Sequence, residues 1–113
     1  MGEYKAARMD RVFSALGDPT RRAILARLAT EDARVTDLAA GFAISLNSVS
    51  KHIRALERAG LLRRRVVGRE HLLSLQPEPL ADAAAWIDHY RRFWDGRLAA
   101  LEAYVLEKKR KRQ

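Results

Sequence analysis

Residues 45–60 read SLNSVSKHIRALERAG, and this stretch decides the fold. Val49, Ile53 and Leu56 recur at i, i+4 and i+7, the spacing that lines one face of a helix. At about 100° per residue, Asn47, Lys51, Arg54 and Arg58 fall close to the opposite face. Ser45 stands where an N-cap belongs, and Gly60 where a helix closes. The helix so bounded has a thin apolar seam and a polar, cationic back. Such a back is either a solvated surface or one that meets phosphate, and its surroundings must separate the two.

Upstream, Met9, Val12, Phe13 and Leu16 form the apolar face of a first helix that Gly17 ends. DPTRRAILARL follows, with Asp18 as N-cap, Pro19 at the first helical position, and Ile24, Leu25 and Leu28 as the buried side. Arg34-Val35 reads as a short strand. Thr36 reads as the cap of a brief helix, TDLAAGF, whose Leu38, Ala39 and Phe42 face inward. A tight connection through Ala43 and Ile44 then reaches Ser45. Downstream, LLRRRVVGREHLLSL reads as two strands turning at about Gly68-Arg69, with His71, Leu73 and Leu75 on one side of the second. PEP at 77–79 stops that strand. A long helix runs from about Leu80 to Lys108, with Trp86, Tyr90, Trp94, Leu98, Leu101 and Val105 in one stripe and Ile87, Phe93 and Tyr104 on its flanks.

This order predicts a mainly α fold with a small β-hairpin wing, a winged helix-turn-helix. The helix-turn-helix falls at about 36–60, the wing at about 61–75 and the C-terminal helix at about 80–108, within a single domain of residues 1–113. The stretch at 45–60 is then the second helix of the motif, the one that enters a groove.

Composition narrows the partners. With 22 Lys+Arg against 14 Asp+Glu the net charge is +8, which favours an anionic partner. There is no cysteine, so disulfides and thiolate metal sites are excluded. No apolar run approaches the roughly 20 residues that span a bilayer. MGEYKAARMDRVF lacks the apolar core of a secretory signal, and Gly2 lacks the following Ser or Thr of a myristoylation site. The expectation is a soluble cytoplasmic chain with no membrane partner. No nucleophile elbow, phosphate loop or paired-carboxylate motif is present, so neither an enzyme nor a cofactor is expected. Asp88 and His89 are adjacent and so diverge by about 100°, and His52 and His71 lie in other elements; no metal site is expected either.

LGDPTRRAILARL, FAISLNSVSKHIRALERAGLL, the hairpin around VVGRE and the tail YRRFWDGRLAALEAY together resemble the ArsR-type family of bacterial winged-helix repressors. The likeness runs from about Met9 to Val105. More narrowly it is to the branch with an aromatic-rich last helix and no metal-binding cysteines. The resemblance implies a homodimer whose first and last helices build the interface. On this chain those helices offer Val12 and Phe13, and Trp86, Tyr90, Trp94, Leu98 and Leu101. It also implies release from operator DNA by a ligand or metal, which leaves an unidentified small-molecule effector to be sought. Two positions depart from the pattern. Ala43 stands where the turn usually holds glycine or a small polar residue, at a cost of about 1 kcal/mol if the backbone there needs positive φ. Asn47 stands where this branch often has proline, and an asparagine amide can read a base edge where a prolyl ring cannot.

Within this frame Asn47, Ser48 and Lys51, near the helix N-terminus, are expected at base edges. Ser50 and Arg54 are expected on phosphate oxygens, and His52, on the flank, either packs inside the domain or touches DNA. Arg69 at the hairpin tip suits a narrow A·T-rich minor groove. Arg63, Arg64 and Arg65 either meet DNA or guard a ribbon edge, and Arg21 and Arg22 either touch the DNA backbone or are solvated. The aromatic stripe covers this domain's core or packs on a second copy. An aromatic effector between Trp86, Tyr90 and Trp94 is weighed against plain packing. A two-fold dimer would set two recognition helices about 34 Å apart on a palindromic site in double-stranded DNA. The function expected is a sequence-specific, operator-blocking repressor. The alternative is a winged-helix module that binds an acidic protein, or DNA without sequence preference.

Overall fold

The computed structural model describes residues 2–112, with side chains from residue 6 onward. Helix α1 spans Gly2–Leu16 and α2 Pro19–Thr30; β1 is Ala33–Arg34, α3 Val35–Ala40, α4 Leu46–Arg58, β2 Leu62–Val67, β3 Glu70–Leu75 and α5 Glu78–Lys111. The chain divides into two units, one ending at Ala83 and the other beginning at Ala84. The first holds α1 to α4, the sheet and the start of α5; the second is the remainder of α5. Among the described residues no helix is long and apolar enough to cross a membrane.

The junction of α1 and α2 is set by local chemistry. Asp18 is extended and its carboxylate accepts the Arg21 N–H at 3.0 Å, with Pro19 next, where a missing N–H costs nothing. Two guanidinium groups then reach back to carbonyls in the last turn of α1. Arg21 Nε donates to Ala15 O at 2.7 Å and Nη2 to Ser14 O at 3.1 Å, while Arg22 Nη1 donates to Leu16 O at 2.7 Å. Cations at a helix C-terminus also oppose its dipole. Arg21 and Arg22 are therefore braces of the α1–α2 corner, a role their sequence context did not suggest.

The brief helix begins one residue before its expected cap. Thr36 lies inside α3, and Arg34 holds the N-cap position without a side-chain cap bond. The cause is the strand before it: Ala33 pairs with Leu73 and Arg34 with Leu72, so the β3 ladder brings the chain straight into the helix at Val35. Gly41 closes α3 at φ −81°, and no non-glycine residue among those described has positive φ. Ala43 thus carries no backbone strain in the turn.

Helix α4 matches its expected bounds. Ser45 Oγ accepts the Ser48 N–H at 3.1 Å, and at the far end Gly60 turns to φ 75° while the Leu61 N–H reaches Leu56 O at 3.0 Å. This left-handed closure drops Leu61 into the core with no exposed surface. Strands β2 and β3 pair antiparallel from Leu62↔Leu75 to Val67↔Glu70, joined through Gly68 at φ 63°, and β1 adds on the other side in the order β1-β3-β2. Strand β2, with its three arginines, is an outer strand.

The core gathers on the α4 seam. Val49, Ile53 and Leu56 are each 0% exposed and pack with Ile24, Leu28, Leu38, Leu61 and Leu73. Burial of such side chains stabilises by roughly 1.5–3 kcal/mol each. Val12, expected at a dimer interface, is 1% exposed in the single chain. Its own domain covers it, so it offers no surface to a partner and is a core residue. Phe13 is partly buried against the same core.

Two substitutions separate packing from backbone effects. Ile53→Ala should lower the unfolding free energy in urea by about 2–5 kcal/mol, by loss of contacts and a cavity. Gly60→Ala should cost about 1 kcal/mol. That cost is conformational, because a Cβ there would meet only Pro79 Cγ, at 3.6 Å.

Candidate nucleic-acid interface

Burying one side of α4 fixes what the other side presents. With Val49, Ile53 and Leu56 inward, Asn47, Lys51, Arg54 and Arg58 are all exposed, in one row along the helix. The long side chains lie back along the axis: Arg54 Nε donates to Ser50 O at 3.4 Å and Arg58 Nε to Arg54 O at 3.4 Å. Lys51, Arg54 and Arg58, with Glu57, line one open groove on this face. Ser48 is half-buried, and its hydroxyl accepts from the Ser45 hydroxyl at 3.0 Å. Its own O–H stays available to donate.

The wing completes a second groove. Arg34, Thr36, Leu46, Ser50, Arg64, Arg69, Glu70 and His71 surround a cleft between the hairpin, α3 and the start of α4. Of the residues weighed for DNA from the sequence, Ser50, Arg64 and Arg69 meet here. Arg34 and Thr36, read from the sequence only as strand and cap, join them because the β1–β3 pairing carries them beside the wing.

The arginine triplet splits by strand alternation. Arg64 turns to α4, where its Nη2 lies 2.7 Å from Glu57 Oε1 and its Nε 3.3 Å from Glu57 Oε2, with His71 Nδ1 3.3 Å from its Nη1. A bidentate pair of this kind fixes angle as well as distance, so it ties the wing to α4. Arg63 and Arg65 are exposed, and with Arg64, Asp32, Ser74 and Gln76 they line a further groove.

His52 turns inward. Its Nδ1 is buried, and the nearest anionic atom, Asp18 Oδ2, is 3.7 Å away, too long for a hydrogen bond. The ring is oriented to the α2 cap rather than to the exposed row. Asp18 itself titrates below the ordinary aspartate value, chiefly because the Arg21 N–H stabilises its charged form, with His52 adding a smaller attraction.

The second unit presents the aromatic stripe. Trp86, Tyr90 and Trp94 are 45–46% exposed, and Leu98 and Leu101 are 57% exposed. Trp86 and Tyr90 stack with centroids 5.1 Å apart, and Tyr90 and Trp94 follow at 6.0 Å. A continuous apolar stripe of this length exceeds what a helix leaves in water without a cover.

A short helix, a strain-free turn, a second helix with a buried seam and exposed cationic row, and a two-stranded ribbon beside it define a winged helix-turn-helix. The helix-turn-helix domain family matches residues 16–65. The chain is similar to the HTH-type transcriptional regulator Rv2034 of Mycobacterium tuberculosis, 39% identical over 94 residues that cover 83% of either chain. It is also similar to the transcriptional repressor SdpR of Bacillus subtilis, 37% identical over 79 residues, 70% of this chain and 88% of that one. Among solved structures, an ArsR-like transcriptional regulator from Rhodococcus sp. RHA1 is 35% identical with a TM-score of 0.73, over 89% of this chain and 93% of its own. The homodimeric winged helix-turn-helix DNA-binding domain Mb0332 of Mycobacterium bovis is 26% identical with a TM-score of 0.61, over 82% of this chain and 83% of its own. The chain belongs to the ArsR family of winged helix-turn-helix transcriptional regulators.

The Asp18 cap makes a pH prediction. Its folded value is depressed, so its contribution to stability is full above the ordinary aspartate value of 3.8 and is lost as pH falls below it. Melting temperatures of wild type and Asp18→Asn, measured from about pH 6 to pH 2, should converge at the acid end. A constant gap would show that the carboxylate charge plays no part.

Proposed function

We propose that this regulator is a homodimeric, sequence-specific DNA-binding repressor that occupies its operator with two copies of α4. One observation carries the reading: the fully buried seam beneath α4 leaves Asn47, Lys51, Arg54 and Arg58 as one exposed row. Asn47, Ser48 and Lys51, at the start of the helix, reach base edges in the major groove. Ser50 and Arg54 take phosphate oxygens, and Arg69 at the wing tip adds a minor-groove contact. Affinity comes mainly from counterion release as these cations meet phosphates. His52, turned to Asp18, supports α4 from inside.

The second copy is called for by the half-exposed stripe from Trp86 to Leu101, and the Mycobacterium bovis relative is homodimeric. A two-fold axis through such a pair places the recognition helices about one duplex turn apart, which suits a palindromic operator.

A gel shift with the region upstream of its own operon, at several salt concentrations, tests this reading. A complex that survives competitor DNA is expected, and Lys51→Ala should abolish the preference for that fragment while leaving the thermal melt unchanged. Equal, weak binding to every fragment would instead favour an architectural or protein-binding module. Trp94→Ala should lower dimer affinity in sedimentation equilibrium; an unchanged association constant would remove the aromatic stripe from the interface.

A further inference from the structure

The groove between wing and motif helices contains one acid among the residues that line it, Glu70. It stands next to Arg69 and in the same cleft as Ser50, two residues that the proposed function gives to DNA. An unpaired carboxylate there would repel the phosphates that these groups attract. It is not unpaired: Glu70 Oε2 lies 3.1 Å from Arg34 Nε. The ladder explains the meeting, since Arg34 is opposite Leu72 and Glu70 is two residues from Leu72 on the same strand face. Arg34 is also the N-cap of α3, the helix that crosses the DNA backbone in this motif.

We infer that Arg34 is a further phosphate contact and that Glu70 sets its strength by holding it until DNA arrives. Both side chains are about half exposed, 51% for Arg34 and 49% for Glu70, so solvent screens the pair and it opens readily. A backbone phosphate is the better guanidinium partner, with more acceptor oxygens and a geometry that takes two N–H groups at once. Binding exchanges Glu70 for phosphate on Arg34, and the carboxylate opposes that exchange. Its effect is the same for every sequence, because phosphates carry no base information. Glu70 is thereby a brake on affinity. Arg64, whose partner Glu57 holds it through two nitrogens, is the contrasting case in the same groove: a cation committed to the fold.

This inference rests on the DNA-binding reading, and a double-mutant cycle separates the two. Fluorescence anisotropy would follow binding of the full chain to a labelled mixed-sequence duplex over a range of KCl, for wild type, Glu70→Gln, Arg34→Ala and the double variant. Circular dichroism melts check that all four fold. Glu70→Gln should tighten binding about tenfold and steepen the salt dependence by about one counterion, whereas in the Arg34→Ala background its effect should fall to about threefold or less. Equal tightening in both backgrounds would mean that Glu70 acts by general repulsion, and would overturn the exchange. Weaker binding by Glu70→Gln would overturn it too, since Glu70 would then position Arg34 rather than restrain it. A wild-type chain that binds no duplex at low salt would instead refute the functional reading itself.

Discussion

The structure depends on the burial of three side chains along one side of α4. Val49, Ile53 and Leu56 have no exposed surface, and the residues they meet come from α1, α2, α3 and the sheet. A helix held so completely on one side cannot rotate without exposing that seam. Its orientation about its own axis is therefore fixed chiefly by hydrophobic burial, with the Arg64–Glu57 pair holding the wing to it. The polar row is aimed by what lies beneath it. Rigid placement of reading groups on a packed helix is what lets a few side chains discriminate between bases.

Around this seam, charged groups do two different kinds of work. Some hold the frame. Arg21 and Arg22 close the end of α1, Asp18 caps α2 and faces His52 on α4, and Arg64 binds the wing to Glu57. Others have no such commitment and face outward: Lys51, Arg54, Arg58, Arg63, Arg65 and Arg69 are exposed. A net charge of +8 is thus a poor measure of the interface, because part of it is spent within the fold. Which arginine belongs to which set is decided by the partners that the topology brings near. Arg34, in a weak and half-exposed pair with Glu70, lies between the two sets.

Much of this was legible in the sequence, for a physical reason. Helix faces, caps and glycine stops are encoded within a few residues, so α2, α4, the hairpin turn and the polar row follow from spacing alone. What was hidden depends on contacts between elements, which spacing within one element does not show. The start of α3 shifted to Val35 because β1 joins a strand some forty residues on, at Leu72 and Leu73. Val12, which the family resemblance implied for a dimer interface, is set in the core of its own chain by α1. The corner-bracing role of Arg21 and Arg22 requires α2 to double back near the end of α1, and the Arg34–Glu70 and Arg64–Glu57 pairs require the folded sheet. For Ala43 the reverse holds: the departure from the family pattern is harmless because the turn uses no positive φ.

The central claim is that the buried seam presents α4 to the major groove, twice, one duplex turn apart. Methylation interference on the operator fragment measures this directly, because guanine N7 projects into the major groove and adenine N3 into the minor. The account predicts that N7 methylation blocks binding in two clusters about 10 base pairs apart, with N3 interference limited to positions reached by the wing tip. Binding that tolerates N7 methylation throughout the site would contradict it.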